Sequence, residues 1–161
     1  MPIIYAYLIA FLVSTVDQVS KYYVVFELNL VEVLRIDSVA PFINFRMAWN
    51  QGINFGLFGN GSFTSRIILI SISIIICLFL TWWFRKTRSK FVLFFVGLII
   101  GGAIGNLIDR ILYGAVADFL NVTCCGLQNP FSFNVADIAI FLGAVGLILH
   151  NDNANEKAVS E

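Results

Sequence analysis

Gly101-Gly102-Ala103-Ile104-Gly105-Asn106-Leu107-Ile108-Asp109-Arg110 closes one apolar run, and Phe133-Asn134-Val135-Ala136-Asp137 opens the next, with Val116-Ala117-Asp118-Phe119 between them. Three of the chain's six aspartates fall in this stretch. An ionisable residue at or inside a membrane boundary is costly and marks a candidate functional site. These residues therefore decide both the fold and the place to look for chemistry.

The surrounding composition supports the membrane reading. Of 161 residues, 59% are hydrophobic and only 12% charged, with a mean hydropathy of +0.87; a soluble domain carries about twice that share of charge. The chain reads as one integral membrane domain over residues 1–161. A net charge of +0 gives no reason to expect nucleic acid as a partner. Cys77 lies inside an apolar run and Cys124-Cys125 are adjacent, a spacing that supports neither a disulfide framework nor a four-ligand zinc site. No metal or cofactor is implied. His150, the sole histidine, reads as a solvated residue at a helix end, so a Ser-His or Cys-His mechanism has little support.

About 20 apolar residues cross a bilayer, and the pattern predicts four spans near 3–26, 66–84, 91–110 and 134–150. The first lacks the basic start and small-residue cleavage site of a removable leader. Its Ser14, Asp17 and Lys21 share one helix face, with Asp17 and Lys21 paired at i and i+4. Arg66 to Arg85 and Lys90 to Asp109 each enclose 18 uncharged residues. Between these two spans, residues 85–90 hold four of the ten Lys and Arg, which by the positive-inside rule places that turn and both termini in the cytoplasm. The last uncharged run, Ile138 to Leu149, has 12 residues and is too short for a core of about 30 Å. Asp137 must then enter the span, with Asn134 as its N-cap.

Residues 27–65 form an outer element. Leu28 to Ile36 and Phe42 to Trp49 alternate as short strands do, and the Gly- and Asn-rich residues that follow read as turns. The polar tail from Asp152 is expected to be disordered. The fold expectation is an all-α membrane protein with four transmembrane helices and a small extramembrane β-element on the outer side. Gly97, Gly101 and Gly105 add a small-residue stripe on which another helix can pack closely.

Asp118 and Asp137 both fall on the outer side in this topology, one after the third span and one opening the fourth. Brought together, two carboxyls share one proton, because both cannot ionise cheaply. One can then activate water while the other protonates an amide carbonyl. Asp137, at the positive end of a helix dipole, ionises more readily and leaves Asp118 as the proton carrier.

The residues also carry a resemblance. Asp17-Gln18-Val19-Ser20-Lys21, Asn50-Gln51-Gly52-Ile53-Asn54-Phe55-Gly56, the Gly101–Arg110 decamer, Val116-Ala117-Asp118-Phe119 and Phe133-Asn134-Val135-Ala136-Asp137 resemble, in order, the motifs of bacterial lipoprotein signal peptidase, or signal peptidase II. The resemblance implies an aspartic endopeptidase of the bacterial cytoplasmic membrane. Its substrates would be prolipoproteins, cut just before a diacylglyceryl-modified cysteine, with membrane lipid around it. It implies Asp118 and Asp137 as the catalytic pair, Asn50, Gly52, Asn106, Asp109, Arg110 and Asn134 as residues that bind substrate or support the site, and Asp17 and Lys21 as structural. Ile53-Asn54 departs from the family, which commonly has small residues there. The surface β-element and segment 41–63 are expected to clamp substrate or close over the site. An ion-coupled transporter would instead show inverted repeats, and a packing subunit would leave the outer aspartates unused.

Overall fold

The computed structural model describes residues 3–40, 42–52, 63–123 and 129–159, with the backbone alone at 38–40 and 151–159. Helix α1 (Ile3–Lys21) continues through a π-helical segment (Tyr22–Glu27), followed by the single turn α2 (Leu30–Val33) and strands β1 (Arg35–Ala40) and β2 (Ile43–Asn50). Then come α3 (Phe63–Phe84), α4 (Lys90–Leu112), β3 (Val116–Val122) and α5 (Val135–Val159). Three helical stretches, Ile3–Glu27, Phe63–Phe84 and Lys90–Leu112, are long and apolar enough to cross a membrane. The apolar part of α5, Val135–His150, rises about 24 Å and falls short of the roughly 30 Å core.

Helix α4 is the centre of the bundle, with α1, α3 and α5 all packed against it. Its glycines explain how. A Cβ added at Gly97 or Gly101 would lie 2.7 Å from the carbonyl oxygen of Ala6 or Ala10 on α1, and one at Gly105 would lie 2.5 Å from Asp17 Oδ2. The expected stripe is thus the seat of α1. Gly102, one residue around the helix, meets the Ala136 carbonyl at the start of α5 instead. In turn α1 offers Ala6, Ala10, Ser14, Asp17 and Lys21 as its buried face, which includes the three residues expected to share a side.

The three strands form one antiparallel sheet in the order β1-β2-β3. Its apolar side packs Phe119 and Ala117 with Val24, Val25 and Leu30, so the sheet is fastened to the end of α1. At the close of α4, Gly114 adopts φ +81°, a left-handed conformation open to glycine at little cost, and the chain reverses into β3.

Four expectations need correction. Residues 28–34 are not a strand: Asn29 (φ 55°) and Leu34 (φ 62°) are left-handed and bracket the α2 turn, which buries Leu30 completely. The strand starts only at Arg35. The β-element is not confined to residues 27–65, because Asp118 sits within β3, its third strand. Residues from Asp152 to Val159 continue α5 rather than forming a disordered tail. His150 is therefore within a helix, half-buried with its ring 5.5 Å from that of Phe91. Cys124, Cys125 and, within segment 41–63, residues 41 and 53–62, including Ile53 and Asn54, lie outside the described residues.

Candidate active site

The site forms where β3, α4 and the first turn of α5 meet. Asn134 caps α5: its Oδ1 accepts from Asp137 N at 2.9 Å, and Asp137 Oδ2 accepts from Asn134 N at 3.3 Å. This reciprocal pairing satisfies a helix-start donor that would otherwise lack a partner. It also fixes Asp137 at the helix start, as its sequence position anticipates. The same cap leaves Asn134 Nδ2 free to donate to Asp118 Oδ1 at 2.6 Å. The two carboxyls are thus held by one residue, Asp118 by the side-chain NH₂ of Asn134 and Asp137 by its backbone N–H.

Each carboxyl has a second amide donor. Asn50, the last residue of β2, donates through Nδ2 to Asp118 Oδ2 at 3.1 Å, while its own Oδ1 accepts from Gly52 N at 3.2 Å. The Gly52 backbone thereby sets which end of the Asn50 amide faces the aspartate. Asn106, on α4, donates to Asp137 Oδ1 at 2.9 Å. Its Oδ1 accepts from Lys21 Nζ and from Asn134 Nδ2, each at 3.2 Å. An ammonium can only donate, so Lys21 holds the Asn106 oxygen on its own side and turns the NH₂ toward Asp137.

Lys21 is itself clamped between Asp17 Oδ2 at 2.7 Å and Asp109 Oδ2 at 2.8 Å. Asp17 Oδ1 then accepts from Ala136 N at 2.9 Å, a second cap on α5 from the first helix. Asp109 Oδ2 accepts from Ala117 N at 3.0 Å and its Oδ1 from Gln18 Nε2 at 2.9 Å, which ties β3 to the helices one residue before Asp118. Among the described residues no buried side-chain polar atom lacks a partner. The Asp17–Lys21 pair expected from their spacing is present. Sequence reasoning missed that it reaches Asp109 and Asn106, and it missed Gln18, whose only signal was its place beside Asp17.

Asp118 is 3% exposed. Burial, followed by the negative charge of Asp137, raises its pKa from 3.8 to about 7, against the opposing effects of Asn50, Asn134 and Lys21. Asp137 is less enclosed and opens onto a hollow of about 300 Å³ lined by Phe133, Ile138, Phe141 and Leu142. Arg110 stands somewhat apart: it donates to the Asn106 carbonyl of its own helix at 3.4 Å, and its charge acts on Asp118, Asp137 and Asp109. The structure thus gathers Asp118, Asp137, Asn50, Asn106 and Asn134 in one network, with Asp17, Lys21 and Asp109 behind it. No group of three potential metal ligands occurs among the described residues.

Residues 9–151 match the family model described as signal peptidase (SPase) II. The chain belongs to the signal peptidase II family. Among curated relatives, it is 41% identical to a lipoprotein signal peptidase of Methylorubrum extorquens (strain PA1), over 88% of this chain and 82% of that protein. It is 36% identical to the lipoprotein signal peptidase of Caulobacter vibrioides, over 96% and 90%. In three dimensions it is similar to a bacterial membrane enzyme solved by the in meso method at 2.3 Å resolution, with a TM-score of 0.74 and 29% identity, covering 93% of this chain and 90% of that one. This signal peptidase II family member is a protease of the aspartic type, a mostly helical, multi-pass protein of the bacterial inner membrane.

Proposed function

We propose that Asp118 and Asp137 are the catalytic pair of this protease, which removes signal peptides from diacylglyceryl-modified prolipoproteins by cutting before the lipidated cysteine. The observation that carries the reading is the pair of carboxyls, from β3 and α5, joined through Asn134 beside an apolar hollow. Asp118 holds the shared proton, in keeping with its raised pKa. Asp137 remains ionised, accepting two N–H donors at the positive end of the α5 dipole.

In the first step Asp137 takes a proton from water as the water oxygen attacks the scissile carbonyl carbon, and Asp118 gives its proton to the carbonyl oxygen. A neutral gem-diol results. In the second step Asp137 delivers its proton to the amide nitrogen, a diol hydroxyl returns one to Asp118, and the C–N bond breaks. The pair ends as it began. Asn50, Asn106 and Asn134 hold the two carboxyls throughout, while Asp17, Lys21 and Asp109 lock the helices that carry them.

The same reading takes the protein as a single domain of four spans, with both termini and the basic 85–90 turn cytoplasmic and the pair near the outer face. The short apolar part of α5, Val135–His150, supports this, since it draws Asp137 to membrane level, where a lipid-anchored substrate presents its scissile bond. The apolar hollow beside Asp137 receives the substrate's hydrocarbon. Asp118→Asn and Asp137→Asn test the proposal in a gel-shift assay with a diacylglyceryl-modified prolipoprotein. Each should lower cleavage roughly 100- to 10,000-fold, the usual contribution of a general acid or base, with folding intact. Near-normal turnover by either variant refutes it.

A further inference from the structure

The turn from α3 to α4, far along the bundle from Asp118, has features that the protease chemistry does not use. Trp82 and Trp83 are exposed, with ring centroids 6.2 Å apart, and Phe79 lies 5.5 Å from Trp83. The Arg85 guanidinium sits 4.9 Å over the Trp82 ring, and its Nη1 donates to the Trp82 carbonyl at 2.5 Å. Together Trp82, Trp83, Arg85 and Lys86 line a hollow of about 210 Å³. Arg88 and Lys90 follow at once. Among the described residues, no carboxylate forms an ion pair with any of these four cations.

We propose that this hollow is a binding site for the headgroup of an anionic phospholipid. Its phosphodiester would lie between Arg85 and Lys86, and its glycerol against the two indoles. Uncompensated cations draw an anion, and basic pockets beside spanning helices bind such headgroups. Stacking on Trp82 and the bond to its carbonyl already order the Arg85 side chain, so less freedom is lost on binding. A second feature favours a lipid over a soluble anion. Ile75, Leu78, Phe79 and Trp82 are all exposed at i, i+3, i+4 and i+7, so they form one apolar track along α3 that ends at the hollow. An acyl chain follows that track.

Native mass spectrometry of the full-length protein in detergent, with phosphatidylglycerol and phosphatidylcholine in equal competition, tests the site. At about fivefold per cation near the headgroup, the wild type should retain phosphatidylglycerol roughly 25-fold over phosphatidylcholine. Arg85→Gln/Lys86→Gln should bring the ratio close to one, and Trp82→Leu should lower it without removing charge. The control Arg35→Gln/Arg46→Gln, on the sheet, should leave it unchanged. Circular dichroism establishes that each variant is folded. Equal retention of the two lipids by the wild type, or the same loss in the sheet control, overturns the proposal. So does displacement of the bound lipid by millimolar glycerol 3-phosphate, which would make the hollow a small-anion site.

Discussion

If Asp118 holds the shared proton, its ionisation costs folding stability, and replacing it should reveal that cost as a function of pH. The carboxyl's pKa rises from 3.8 to about 7 in the folded protein. A group whose folded pKa is raised contributes its full stabilisation below the unfolded value and loses it as pH climbs through the folded one. For Asp118 the window runs from about pH 4 to about pH 7. At about 1.36 kcal/mol per pKa unit, the loss across that window is about 4 kcal/mol at most. Asp118→Asn cannot ionise and escapes it. The variant has a separate, pH-independent penalty: Asn50 and Asn134 both present NH₂ groups to this position, so one end of the new amide meets a donor with a donor. That penalty is about 1–3 kcal/mol. The measurement is therefore the change in the stability difference between variant and wild type from pH 4 to pH 8, by reversible unfolding in mixed micelles followed through tryptophan fluorescence. The variant should gain on the wild type by a few kcal/mol over that range. Parallel curves, which an Asp118 already ionised at pH 4 would give, would refute the assignment of the proton to Asp118.

Two further outcomes follow from the network. Asn134→Ala removes the 2.6 Å donor to ionised Asp118; a hydrogen bond to a charged group contributes about 1.5–3 kcal/mol. The alkaline limb of the cleavage pH profile should then move up by about 1 to 2 units, alongside a stability loss of about 1 kcal/mol from the missing cap, read from thermal unfolding. Lys21→Met leaves Asp17 and Asp109 buried without their cation and should cost about 3–5 kcal/mol. Asp17→Asn added to it should recover part of that loss in the same unfolding measurement.

The helices were legible because their causes are local. Uncharged runs between Arg66 and Arg85 and between Lys90 and Asp109 became α3 and α4, and Asp17 and Lys21 pair because four residues are one helical turn. Asn134 became the cap of α5 for the same kind of reason, since a cap and its partner are three residues apart. Residues 28–34 misled because so short an apolar run does not separate a strand from a helical turn, and burial of Leu30 against Phe119 and Val25 decided the matter.

By itself, then, the sequence determined that this is an apolar chain of long helices, which glycines permit close packing, and which six or so polar residues lie near the ends of the apolar runs. Only the tertiary structure decided how those residues meet. Asp118 reaches Asn134 because β3 pairs with β2, Asp118 opposite Ala48, and because Lys21 and Asp17 on the first helix seize Asp109 on α4 and Ala136 on α5. Those bonds join groups 88 to 119 positions apart. No short-range period encodes such a meeting; it arises when the small residues of α4 let α1 and α5 close on it at once.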